Sequence, residues 1–351
     1  MKRVWVVLVA AAVVLWAWAG WAEAQARELV VASWGGKFKD GWDKSLIPKF
    51  EKQHGVRLIW SAGVSSQTLA KLQAQRANPQ IDVAMFDDGP HSQAVALGLV
   101  EQLDLSKLPN HKDLYDLAYE PSHYGIGFAV SGTGLFYNTK VFAEKNWPAP
   151  TSWLDLFRPE VKGKVIGQSI KSGSGLNLLL AFNKIGGGTE SNVDPGFARV
   201  RELVPHVYTI VGSSSEAAQL IQQEFVVLGA LSIDDTFTLA SKGVPVKFVY
   251  PKEGMFAFKE IATVVKGRPR ERQELAHKFI DLLLSKEEQE HSAKYVGFGP
   301  FNRRAELPPD VAAGVVYGPE NIRRLVIPDW KVVNANRAAW TERWNKEIER
   351  R

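Results

Sequence analysis

The 351-residue sequence contains no cysteine. That excludes disulfides, a thiol nucleophile, thiolate-held metals and lipid attachment at a leader cysteine. The fold must therefore be held by its core alone. Histidine is sparse, and His54, His91, His111, His123, His206, His277 and His291 never fall at H-x-x-x-H or H-E-x-x-H spacing, so a hydrolytic metal centre is not expected. There is no Walker loop and no G-x-G-x-x-G after a strand. "SGSGLN" (Ser172–Asn177) lacks the spacing of a nucleophile elbow. Neither a catalytic residue, a metal nor a cofactor is expected. Charge of one sign is never concentrated: 43 basic residues face 38 acidic ones, and the densest basic stretch, "RWNKEIERR", is interleaved with acids. Such scattering is a solvated surface, not a nucleic-acid stripe.

What is present begins with a leader. Lys2 and Arg3 precede an uncharged run from Val4 to Trp21, and Ala22-Glu23-Ala24 follows as a small-x-small box. Residues 1–24 read as a cleaved export signal, with Ala24-Gln25-Ala26 as an equally good cleavage box. A retained membrane anchor is the alternative, because ~18 uncharged residues can span a bilayer. The mature chain is expected in a periplasm-like space, as a monomer. It is longer than one hydrophobic core usually serves, which implies two lobes.

Along the chain, "ELVVASW", "VRLIWSAG" and "QIDVAMFDDG" read as strands separated by the helices "DGWDKSLIPKFEKQHG" and "SSQTLAKLQAQRAN". A second α/β unit spans roughly residues 131–250, from "GKVIGQS" through "SGLNLLLAFNKIGG" and "SSEAAQLIQQEF" to "VVLGALSIDD" and "VPVKFVYP". Strands alternating with helices imply an α/β fold with a parallel sheet covered on both faces. Ligands of such sheets bind beyond the strand carboxyl ends, where loops lead into helices. Ser33, Trp34 and Gly35 stand at such an end, as do the acid pairs Asp87–Asp88 and Asp234–Asp235. Acids at strand ends can serve as a general acid–base pair, contact a ligand or cap the next helix, and capping is the commonest fate of Asp at that place. Ser172, Gly173 and Ser174 open the second unit's first helix as an anion-receptive nest, and Ser214–Glu216 repeats the arrangement. Shared between two lobes, these sites suggest a polar interlobe cleft.

Longer stretches resemble the periplasmic solute-binding proteins of ABC importers, in the spermidine/putrescine-binding branch of the type II fold. They are "FEKQHGVRLIW", "IDVAMFDD", "GFAVSGTGLFYNTKVF", "PTSWLDLFRPEVKGKV", "GVPVKFVYPKEGMFAF" and "WTERWNKEI". The resemblance implies two lobes hinged by crossing strands near 128–132, 252–258 and "GFGPFNRRA", with lobe 1 at 27–129 and 255–300 and lobe 2 at 130–254 and 301–351. It implies docking onto the transmembrane subunits of a permease. It also places Phe256 as an aromatic wall. Two departures bear on the ligand. The family's acid two residues after the first-turn Trp is absent, since Trp34 is followed by Gly35 and Gly36. Ala257 and Lys259 fall near the family's later aromatic and Asp, suggesting a lost acid and a gained cation. No Tyr-Tyr pair accompanies "SIDDTF", which disfavours ferric ion. The resulting expectation is capture of a small polar, amine-containing solute (polyamine-like, an amino acid or an aminophosphonate), with Asp234 and Asp235 as ammonium contacts. The rivals are a chemoreceptor-linked sensor without a permease and a secreted α/β enzyme.

Overall fold

A computed structural model describes residues 28–349. The expected signal peptide, residues 1–24, lies outside the described residues. Eleven strands form one mixed sheet: β1 Glu28–Ser33, β2 Arg57–Ala62, β3 Val83–Asp87, β4 Ile126–Asn138, β5 Val165–Gln168, β6 Val207–Val211, β7 Leu228–Ser232, β8 Val246–Val249, β9 Met255–Val264, β10 Gly299–Pro300 and β11 Leu325–Val326. The main path is β2-β1-β3-β9-β4-β7-β5-β6. β1 is parallel to β2 and β3, and β5 to β6 and β7, as the strand–helix alternation implies. The centre departs from the expected parallel sheet, because β9 runs antiparallel to both β3 and β4, and β4 antiparallel to β7.

The two central strands are the longest, and nearly all their residues are buried, so both faces of each are covered by packing. β4 pairs with β9 from Ile126 to Thr133, then hands over to β7 and β8 from Thr133 to Asn138. β9 pairs with β3 only over Glu260–Val264. The sheet is thus continuous, but its packing is divided. One half is centred on Leu29, Val31, Trp42, Phe50, Phe128, Phe279 and Phe301, and the other on Trp153, Leu156, Leu179, Phe182, Phe197 and Trp344. Fully burying a side chain of this size stabilises by roughly 1.5–3 kcal/mol, which lets two such cores hold the fold without a cross-link.

Two local readings are corrected. "DGWDKSLIPKFEKQHG" is not one helix but two, Lys37–Trp42 and Leu46–His54, because Ser45, at φ −147° and ψ −76°, leaves the helical path between them. The third crossing is not at residue 301. Phe301 is buried in the first core, Asn302 binds Gln289 and the Leu284 carbonyl, and Val316 and Ile322 join the same core. The chain returns only at β11, which pairs with Met255 and Phe256, before the final helix Trp330–Trp344. Apolar burial against the helices before it holds 301–323 on the first half.

Candidate functional site

Between the two halves lies a cleft of about 910 Å³, within the usual range of small-molecule sites. Its first-half wall comes from the ends of β1 and β3 and from the face of β9. Its second-half wall comes from three helix starts, Gly173–Ile185, Ser214–Gln222 and Ile233–Ser241. Trp34, Asp87, Ser172, Gly173, Ser174, Asp234 and Asp235, all expected from the sequence, line it.

Trp34 stands with Phe38 and Phe298, ring centroids 5.8 and 6.1 Å away, and Phe38 stacks on Phe298 at 5.2 Å. Together with Phe258 and Trp330 they give the cleft an aromatic flank. The chain can turn from Trp34 into its short helix because Gly36 has φ 58°, a conformation that a side chain resists. Ser33 and Gly35 are not in the wall: the Ser33 hydroxyl is fully buried without a partner, and a Cβ on Gly35 would meet that of Ala62 at 3.2 Å. The helix after them has only six residues.

The opposite wall is polar. The Ser172 hydroxyl caps its helix by accepting from the Gly175 amide at 3.0 Å. Gly175 admits no side chain, since a Cβ would lie 2.1 Å from the Ser169 carbonyl oxygen. Ser213 and Ser232 cap the other two helices in the same way. Ser232 also bonds to Asp234 and Asp235, and Ser214 to Asp235.

Asp87 and Glu260 are register partners across β3 and β9. Ser65 donates to Asp87 at 2.6 Å, whereas Glu260 is 2% exposed and its Oε2 has no partner. Burial raises both carboxyls above their ordinary pKa values, and for Glu260 the neighbouring Asp87, Asp88 and Asp234 add to the rise. Glu260 was missed in the sequence. Phe258 and Glu260 line the cleft, one residue after Ala257 and Lys259, and strand alternation carries the signal: residues two apart share a face. Phe256, on that face one pair earlier, packs into the second core away from the cleft.

Asp88 is also absent from the wall. It accepts the Lys259 amide at 2.6 Å and the Trp330 indole N–H at 2.9 Å, joining β9 and the final helix. Burial, opposed by Lys259, pushes its pKa up to about 8. Lys259 is not a cleft cation, because its ammonium pairs with Glu120. The cations that do face the cleft are Lys37, Lys171 and Arg337. Among the described residues Arg337 has no ion-pair partner within bonding distance, and Asp87 is the carboxylate that acts on it. Its signal was helical: Trp330, Asn334 and Arg337 recur at i, i+4 and i+7 on the cleft face, while Val333, Trp340 and Trp344 bury the other.

Asp234 and Asp235 already hold an ammonium, that of Lys37, at 3.1 and 3.7 Å. Burial works against the Asp234 anion, but Lys37 and the Ser131 hydroxyl outweigh it and hold the pKa below its ordinary value. Asp235 is raised by burial and by Asp234.

A model of bacterial extracellular solute-binding proteins matches residues 45–316. The spermidine/putrescine-binding periplasmic protein of Escherichia coli K12 is 25% identical over 280 residues, covering 76% of this chain and 77% of that protein. The gamma-aminobutyric acid-binding protein of Pseudomonas aeruginosa is 24% identical over 320 residues, covering 87% and 86%. Among solved structures, an ABC transporter protein from Clostridium perfringens superposes with a TM-score of 0.79 at 26% identity, covering 91% of this chain and 99% of that one.

Proposed function

The chain belongs to the bacterial extracellular solute-binding proteins, and we infer that it captures a small polar solute carrying one amine and one acidic group for an ABC importer. It works in the periplasm after removal of its leader, as a monomer, and binds without catalysing. Its two lobes, 28–129 with 260–323 and 130–254 with 326–349, close over the ligand about β4 and β9.

The observation that carries this reading is the buried Glu260, bonded to Asp87 through one side of its carboxyl and with its other oxygen unpartnered, beside an aromatic flank. An amine entering there meets two carboxyls and ring faces, and charge-assisted hydrogen bonds and cation–π attraction favour its charged form. The acidic end of the solute meets Arg337, Lys171 and the amides at Ser172–Ser174. Relatives named for spermidine/putrescine and for gamma-aminobutyric acid support an amine as the common element.

The test is calorimetry and thermal shift with amino acids, ω-amino acids, aminophosphonates, monoamines and diamines. A zwitterion at about a hundred times its Kd should add about 2.7 kcal/mol of stability, and Arg337→Ala should cost it affinity while sparing monoamines. Stabilisation by spermidine alone would contradict the zwitterionic reading.

A further inference from the structure

We propose that Lys37 acts as a built-in ammonium that fills the second acidic subsite of the cleft and so excludes ligands with two cationic ends. The proposal rests on the cleft being the solute site and adds which solutes it refuses.

The surroundings of the Lys37 ammonium are those of an amine receptor. Asp234 Oδ2 lies at 3.1 Å, Asp235 Oδ1 at 3.7 Å and the Thr238 hydroxyl at 3.3 Å, and the ammonium stands 5.0 Å from the centre of the Phe38 ring. Asp234 is aimed by a bond from Ser131 on β4, at 2.7 Å to its other oxygen. Two carboxylates, a hydroxyl and a ring face are what a free amine in this cleft would require. Every one of these groups except Thr238 and Ser131 lines the cleft. The occupant, however, is a side chain of the protein, entering from the first residue after Gly36.

The other acidic subsite differs. Asp87 and Glu260 have no lysine or arginine within ion-pair distance among the described residues, and one Glu260 oxygen is unpartnered. The cleft therefore offers two places for an ammonium, and a cation of the protein itself fills one of them. A solute with one amine loses nothing by this. A diamine must displace Lys37 or leave its second charge beside it, and like charges held together in a partly desolvated cleft discriminate strongly. The Lys37 side chain is about one-third exposed while Asp234 is one-tenth exposed, so removing Lys37 opens the acids to the cleft without dismantling the wall.

The experiment uses the mature protein and the α,ω-diamines from three to six carbons, each against the monoamine of equal length, by calorimetry and thermal shift. In the wild type the diamines should bind no better than the monoamines. Lys37→Ala and Lys37→Met should melt lower without ligand and gain at least one diamine, bound roughly tenfold or more tighter than its monoamine. Lys37→Arg should keep the wild-type refusal, and adding Asp234→Asn to Lys37→Ala should abolish the gain. Circular dichroism establishes which variant is folded, and Lys37→Met retains the length of the side chain where Ala is too disruptive. A wild type that already prefers diamines tenfold overturns the proposal, as do folded Lys37 variants with no gain. If those variants gain nothing while a zwitterion still binds, the exclusion idea fails and the function stands. If they gain a diamine while no zwitterion binds the wild type, the exclusion stands and the zwitterionic reading fails.

Discussion

At Glu260 a carboxyl with an unpartnered oxygen is buried among Asp87, Asp88 and Asp234, with Lys259 next to it in β9, and Arg337 on the final helix acts on Asp87. Its pKa lies well above the ordinary 4.5, from burial first and the neighbouring acids second. As pH rises above the unfolded value, the native state holds a proton that the unfolded chain has lost. The unfolding free energy therefore falls with rising pH. Asp88, raised to about 8, contributes with the same sign. Buried His91, lowered from its ordinary 6.5, and His54 act with the opposite sign below that value, so the melting temperature of the ligand-free protein should fall as pH increases above about 6.5. Glu260→Gln should flatten that fall without removing it, since Asp88 remains. Scanning calorimetry across the pH series checks this, and an unaltered slope in Glu260→Gln would show that the carboxyl already ionises freely.

Among elements, the helix Arg270–Leu283 shows how burial changes the worth of a charge. Asp82, with a side chain that is fully buried, accepts the Val30 amide at 2.7 Å, Arg268 Nε at 2.6 Å and Arg272 Nη2 at 2.9 Å. This one carboxylate fastens β1 and the entry to β3 to the helix. Removing one partner of a buried pair costs about 3–5 kcal/mol, whereas an exposed pair is worth about 0–1 kcal/mol. Asp82→Asn should accordingly lose about 3–5 kcal/mol in urea unfolding. Glu320→Gln, which breaks the exposed pair with Arg323, should change stability little. Equal losses at the two sites would contradict this difference in burial. The final helix works as a second fastener, since Trp330 and Asn334 bond to Asp88 and the Gly89 carbonyl while Trp340 and Trp344 lie in the other core.

For the whole molecule, the relevant feature is that two cores share two strands. β4 and β9 change partners midway, and we propose that one half rotates against the other about these two strands while each core stays packed. Lys37 also spans the cleft, from the first half to Asp234 in the second. Small-angle scattering should record a smaller radius of gyration with saturating ligand than without. An unchanged radius at saturation would sink the hinge model.

The sequence by itself determined the α/β class and some of the positions where the cleft has polar groups. Hydrophobic periodicity and strand-to-helix boundaries are local, and a site at strand ends follows from topology. Trp34, Asp87, Ser172–Ser174 and Asp234–Asp235 were legible for that reason. Tertiary structure alone decided what each group meets. The antiparallel centre arises from pairings between segments far apart in the chain, which no local pattern carries. Asp87 and Asp88 are adjacent in sequence, yet one faces the cleft and the other binds Lys259 and Trp330, because the strand ends between them. Lys259 meets Glu120, and Lys37 meets Asp234 some two hundred residues away. A charge in the sequence states what a residue can bind, while its partner depends on where the rest of the chain folds.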